Sequence, residues 1–312
     1  MMNRRNFIRS SALGMGGVSL LGNAFAGTAD EQGFQKLTIL YTNDTHSRID
    51  PFPADHPKFP GMGGYAQRAS LIADVKSKEK HVLILDAGDI FQGTPFFNFY
   101  GGEPEFRLMS AMQYDAVTLG NHDFDNGSEG LAAQMKHARF DFINSNYQLL
   151  DTPLFDKVKP YKVFKRAGLK IGVYGLGVDL QGLVNQHLRK GVVYTDPVLA
   201  ALKTEEMLKH ELQCDLVICL SHLGYSYKDN KISDMALAPM LKHTDLLIGG
   251  HTHTFLDEPV KIVNNDKKFT YVTQVGWAGV ILGRFDFLFD RNDKVSEAYS
   301  TMEKIYSKTT KV

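Results

Sequence analysis

Five short polar stretches carry residue types that hold metals and move protons. They are Asn43-Asp44-Thr45-His46, Gly88-Asp89, Gly120-Asn121-His122-Asp123, Ser221-His222 and Gly250-His251-Thr252-His253. Mixed carboxylate, amide and imidazole donors suit borderline or hard divalent ions such as zinc, manganese or iron, rather than thiolate-selective ones. Seven ligand-type side chains stand in these stretches: Asp44, His46, Asp89, Asn121, His222, His251 and His253. One zinc-like ion at a catalytic site usually takes about three protein ligands plus water, so seven are too many for it. Two divalent ions sharing one carboxylate would use them all. Such a pair, about 3.5–4 Å apart, holds a bridging hydroxide and polarises a phosphoryl oxygen. In D-x-H and H-x-H along an extended chain both side chains point the same way, so a single metal could take both from one strand end.

His122 is left over if Asn121 is a ligand, because neighbours at a strand end point apart. A histidine beside the metals is placed to protonate a leaving alkoxide or to stabilise developing charge. Asp125, three residues on, is positioned to bond the other ring nitrogen and fix the tautomer. Asp123 is expected to bond local backbone amides. The remaining histidines, His56, His81, His137, His187, His210 and His243, have no comparable context and are expected as surface or loop residues.

Each polar stretch follows an apolar run: Leu37–Thr42, Val82–Leu85, Val117–Leu119, Leu216–Leu220 and Leu246–Ile248. These read as strands, and α/β sheets bind ligands at the carboxyl ends of their strands. Gly88, Gly120, Gly249 and Gly250 stand just before the polar groups, where the chain must turn without Cβ clashes. Helical patterns cover about 64–77, 103–112, 128–138 and 197–212, between the strands. The last quarter reads as consecutive strands (259–263, 268–276, 279–290). The expectation is therefore an α/β fold with an antiparallel-rich end that forms a second sheet. No Pro/Gly/Ser linker interrupts it, so residues 27–312 are expected to be a single domain.

The first 26 residues have a basic start, a mild apolar stretch and the small-residue end Ala24-Phe25-Ala26. Arg4-Arg5-Asn6-Phe7-Ile8 fits the twin-arginine address for export of folded proteins, so cleavage after Ala26 and a periplasmic location are expected. Losing Arg4, Arg5 and Arg9 leaves 35 − 3 = 32 basic residues against 35 acidic ones, a net charge of −3. That gives no global attraction to nucleic acid or anionic lipid, so phosphate must be held locally. No apolar run reaches 18 residues, so no membrane-spanning segment is expected in the mature protein. Cys214 and Cys219 are the only cysteines. On one strand, five residues apart, they would point to opposite faces about 16 Å apart, too far to bridge.

The ordered set "NDTH", "GD", "GNHD", "SHLG", "GHTH" resembles the calcineurin-like metallophosphoesterases. More narrowly, "YTNDTHSRI", "GMGGYAQRASLI", "LDAGDIFQGTPFFNFYGG" and "TLGNHDFDNG" are similar to the catalytic domain of 5′-nucleotidases, over residues 36 to 290. That resemblance implies a two-sheet β-sandwich flanked by helices in four layers, α/β/β/α. It implies one metal on Asp44, His46, Asp89 and His253 and a second on Asp89, Asn121, His222 and His251, with Asp89 bridging. His122 with Asp125 matches the family's catalytic dyad, and Asn121 joins His122 in steadying the phosphoryl oxygens. The implied activity is hydrolysis of nucleoside 5′-monophosphates or related phosphomonoesters by metal-activated hydroxide. Cyclic or dinucleotide phosphodiester cleavage is the enzymatic alternative. Two-domain 5′-nucleotidases hold the base on a C-terminal domain, and this sequence stops at Val312, about where the catalytic domain would end. Either a separate polypeptide carrying that nucleotide-binding domain is the partner, with this chain as a metal-binding catalytic subunit, or this chain takes a different phosphoester.

Overall fold

The computed structural model describes residues 35–290 and 295–306. The leader-like residues 1–26 lie outside the described residues. In chain order the strands are β1 (Gln35–Thr42), β2 (Val82–Asp86), β3 (Ala116–Val117), β4 (Asp141–Ile143), β5 (Tyr147–Gln148), β6 (Val158–Lys159), β7 (Tyr161–Arg166) and β8 (Leu169–Leu176). They continue as β9 (Val193–Tyr194), β10 (Leu216–Ser221), β11 (Leu246–Gly249), β12 (Val260–Val263), β13 (Phe269–Thr273), β14 (Ile281–Phe289) and β15 (Val295–Lys304). The α-helices are α1 (Tyr65–Lys78), α2 (Pro95–Tyr100), α3 (Glu103–Ala111), α4 (Gly127–Gln134), α5 (Pro197–Glu206) and α6 (Asp234–Leu237). None of the described helices is long and apolar enough to cross a membrane.

Two mixed sheets form, in the orders β15-β14-β1-β2-β3-β4-β6 and β12-β13-β11-β10-β8-β7, with β5 and β9 paired separately. Side-chain alternation dictates how they stack. Leu37, Ile39 and Tyr41 of β1 share one core with Leu216, Ile218 and Leu220 of β10 and Leu246 and Ile248 of β11. The residues between them face outward to helices. Leu40 and Ile84 pack with Tyr65, Ile72 and Val75 of α1 and Phe106 and Met109 of α3. On the other side Val217 and Leu247 pack with Ala201 of α5 and with Leu208. The result is a β-sandwich between helical layers, α/β/β/α. The helix α1 buries Tyr65, Arg68, Ile72 and Val75, the three- and four-residue spacing of an amphipathic stripe.

The strand-rich end does not form the second sheet alone. Strand β14 pairs antiparallel with β1, placing Phe287 opposite Leu37 and Phe285 opposite Ile39, and β15 follows it at the edge. Strands β12 and β13 join the other sheet beside β11. The division follows from packing: Phe285, Phe287 and Phe289 alternate along β14 and fill the space between the sheets. The cysteine reading also changes. Cys214 precedes β10 rather than lying on it, and it shares the outer core of the second sheet with Cys219. Both are buried and free.

Register explains why the polar stretches meet. Thr42 pairs with Asp86 and Asp86 with Val117 across parallel β1, β2 and β3. In the second sheet Leu176 pairs with Ser221 and Ser221 with Gly249. Within each sheet the strands that precede a polar stretch therefore end at one level. Phe285, 1% exposed and packed against Tyr271 and Phe287, ties one sheet to the other. We expect Phe285→Ala to destabilise the fold by about 3–5 kcal/mol, seen as a lowered midpoint in thermal or denaturant unfolding followed by circular dichroism.

Candidate metal centre

Beyond the strand ends the chain does not stay extended. Asp44, His46, Asp89, His251 and His253 have φ of 48°, 46°, 56°, 73° and 53°, in the left-handed region that costs a non-glycine residue about 1–3 kcal/mol. This overturns the extended H-x-H geometry. His251 and His253 diverge, His253 toward Asp44 and His46 and His251 toward Asp89 and His222. Asp44 and His46 do turn to the same group. Asn121 has helical dihedrals and caps a single 3₁₀ turn, His122–Phe124. Asn121 and His122 thus part because of a helical turn, not strand alternation.

Within each of two groups, Asp44/His46/His253 and Asp89/His222/His251, one donor atom per residue lies within 4.8 Å of the others. Nε2 of His46 and of His253 are 3.0 Å apart, and His253 Nε2 is 3.4 Å from Asp44 Oδ1. In the second group His222 Nε2 stands 3.1 Å from Asp89 Oδ2. Donors bound at about 2.0–2.2 Å around one tetrahedral ion are spaced about 3.3–3.5 Å, so these edges fit a zinc-sized cation. Asp89 Oδ2 also lies 3.9 Å from His46 Nε2, within reach of the first group. Asn121, 5% exposed, has a buried Oδ1 with no hydrogen-bond donor, and His222 Nε2 likewise makes no directed hydrogen bond. Both are atoms that a cation would satisfy.

The second ring nitrogens fix the tautomers. His222 Nδ1 donates to the Ala87 carbonyl at 2.6 Å and His46 Nδ1 to the Phe91 carbonyl at 3.2 Å, which leaves each Nε2 to face inward. Burial opposes charge on His222, but the Asp89 and Asp44 carboxylates outweigh it and push its pKa up to about 10. Burial likewise opposes the Asp89 carboxylate, and His222, His46 and His122 hold it below the usual carboxylate range. Burial, reinforced by His222, lowers His251 to about 4, and burial lowers His46, so both imidazoles are neutral near pH 7.

His122 stands at the rim. Its ring is 5.2 Å from that of His46, and its Nδ1 is 2.9 Å from Asp125 Oδ2, as the three-residue spacing anticipates. That hydrogen bond raises its pKa. Its backbone N–H donates to Asp89 Oδ1 at 2.7 Å. Asp123 accepts from the N–H groups of Gly120 at 2.8 Å, Asp89 at 3.0 Å and Ile90 at 2.9 Å. It does bond local amides, but it also fastens the loop after β2 to the loop after β3. The glycines act mainly by close approach. A Cβ on Gly120 would overlap the Asp89 carboxylate, and one on Gly250 would press on His222, Ala87 and Asp44.

Two supporting residues carried no signal of their own in the sequence. Asn43 Nδ2 donates to Asp44 Oδ2 at 2.6 Å, inside the motif but not a ligand type in the spacing. Trp277 stacks on His253 with ring centroids 5.7 Å apart and an interplanar angle of 10°; only the fold brings it there.

A family model for calcineurin-like phosphoesterases matches residues 37–255, and the chain belongs to that family. Its fold and site define a metallophosphoesterase domain of the kind found in 5′-nucleotidases. The chain is 32% identical over 288 residues to a snake venom 5′-nucleotidase from Crotalus adamanteus, covering 84% of this chain and 47% of that protein. With the human 5′-nucleotidase it shares 31% over 290 residues, covering 86% and 49%. The structure of a 5′-nucleotidase precursor from Thermus thermophilus superposes with a TM-score of 0.79 at 30% identity, over 87% of this chain and 55% of that one. The chain thus spans about half the length of the relatives it matches.

The tight contact at Gly120 gives a sharp test of the assembled centre. Gly120→Ala should fold with an unchanged circular dichroism spectrum, yet lose most of its bound divalent metal, because Asp89 must move. Metal content of the dialysed variant, measured by mass spectrometry, checks this.

Proposed function

We propose that the chain is a dinuclear metal-dependent phosphohydrolase acting on nucleoside 5′-monophosphates or related phosphomonoesters. The observation that carries this reading is the pair of three-donor groups, Asp44/His46/His253 and Asp89/His222/His251, with the His122–Asp125 pair at their rim. Asp44, His46, Asp89 and His253 would hold one divalent ion and Asp89, Asn121, His222 and His251 the other. Bound there, the ions supply Lewis acidity and a nucleophile derived from water. The nucleotide class rests on the 5′-nucleotidases among the relatives.

The chain's own groups divide the remaining work. His122, its Nδ1 engaged by Asp125 and its pKa raised by that bond, presents its other ring nitrogen as a proton donor. There it neutralises a phosphoryl oxygen or protonates the departing alkoxide. Asp125 is a positioning residue that sets the tautomer. Asp123 keeps the loops after β2 and β3 in register, so that Asp89 and His122 face the same space.

A panel of phosphomonoesters and phosphodiesters, offered to the purified protein with its metal content measured in parallel, tests the reading. Nucleoside monophosphates should be hydrolysed with two divalent ions bound; no turnover of any phosphoester with any divalent metal would overturn it. In the same assay His122→Ala should keep its metals while kcat falls about 10²-fold or more. Full activity in that variant would remove His122 from the reaction.

A further inference from the structure

Two of the histidines expected as surface or loop residues are brought together. The helix α5 continues into a π turn, Met207–Glu211, which carries His210, while His243 lies in the segment leading into β11. Their Nε2 atoms face each other at 3.3 Å, with the rings edge to face at 4.8 Å. Glu206 places Oε2 3.2 Å from His243 Nε2 and Oε1 3.7 Å from His210 Nε2.

Hydrogen bonding within the cluster leaves one of these contacts unmade, although water reaches His210 and Glu206. An imidazole nitrogen presents one proton or one lone pair, along one direction in the ring plane. His243 Nε2 has both His210 Nε2 and Glu206 Oε2 at hydrogen-bond distance. If it donates to the carboxylate it has no lone pair for His210, and if it accepts from His210 the carboxylate receives no proton from it. One cation between the three atoms satisfies all of them. Tetrahedral zinc with bonds of about 2.0–2.1 Å spaces its donors about 3.3–3.4 Å apart; two edges here are 3.3 and 3.2 Å, and His210 Nε2 stands 3.7 Å from the other Glu206 oxygen, an edge that a small side-chain rotation would close.

The backbone that carries His243 is also held in place in advance. Glu205, 1% exposed, accepts from the backbone N–H groups of Lys242 at 2.8 Å, His243 at 3.0 Å and Thr244 at 3.0 Å, and from Thr244 Oγ1 at 2.8 Å. The segment bearing His243 is thereby fastened to the helix bearing Glu206 and His210. A π turn at this point fits, since such turns concentrate at functional sites.

We propose that Glu206, His210 and His243 form a peripheral site for a borderline divalent cation, zinc foremost. It is separate from the candidate centre. His243 precedes β11 and His251 follows it, so the two sites lie at opposite ends of that strand. The side chains of His210 and Glu206 are 60% and 56% exposed, which leaves the fourth position to water. A cation here clips α5 to the strand that delivers His251 and His253.

The test is zinc stoichiometry by equilibrium dialysis of the full chain, with metal quantified by mass spectrometry. Wild type should bind one more equivalent than His210→Ala, and zinc should raise the unfolding temperature of wild type more than that of the variant. His210 is exposed, so the variant should fold and keep its phosphoester hydrolysis. Comparing Asp89→Asn with Asp89→Asn/His210→Ala repeats the measurement with the central site impaired, and the one-equivalent difference should persist. Equal zinc content with and without His210, in both backgrounds, would overturn the site.

Discussion

Two carboxylates taken out of water at the mouth of the sandwich set the terms for everything around them. Asp44 and Asp89 are 0% and 1% exposed, and an ionised group buried without partners costs several kcal/mol. The surroundings supply partners from every side. Asp44 accepts from the His251 N–H and from Asn43; Asp89 accepts from the His122 N–H and faces His222. Around them the ring nitrogens of His46, His222, His251 and His253 and the buried Asn121 oxygen crowd together, with His46 Nε2 and His253 Nε2 only 3.0 Å apart. Divalent cations are the groups that such an arrangement suits.

This demand accounts for features that otherwise work against folding. Five of the seven ligand-type residues adopt left-handed backbone, a strain that persists only where the surrounding structure over-determines it. Here the sandwich does so. Within each sheet the parallel strands end in register, and backbone bonds such as Asp44 N–H to the Gly88 carbonyl and His46 N–H to the Asp89 carbonyl knit the loops beyond β1 and β2. Asp123 adds a third tie. The His222 Nδ1 bond to the Ala87 carbonyl and the His251 N–H bond to Asp44 tie in the loops of the second sheet, and the His122 side chain stands part-exposed at the rim.

The parts legible in the sequence were those with a short-range signature. Apolar runs ending in Asp, Asn and His gave the strand ends, and helical patterns marked the regions of α1, α3, α4 and α5. Other parts depend on tertiary context. The β7–β8 hairpin turns on Ala167-Gly168, both at positive φ, without the Asn-Gly or Asp-Gly pair that announces such turns. Strand β15 is largely exposed and has little apolar alternation to read. The separation of His251 from His253 needs backbone angles that alternation does not encode. The meeting of His210 with His243 spans 33 residues and follows only from how α5 packs beside β11.

Two ions sharing Asp89 would be visible by anomalous diffraction from crystals loaded with zinc or manganese. Two peaks about 3.5–4 Å apart are expected, both bonded to Asp89, one also to Asp44, His46 and His253 and the other to Asn121, His222 and His251. A single central peak, or two peaks with Asp89 bonded to only one, would contradict that sharing.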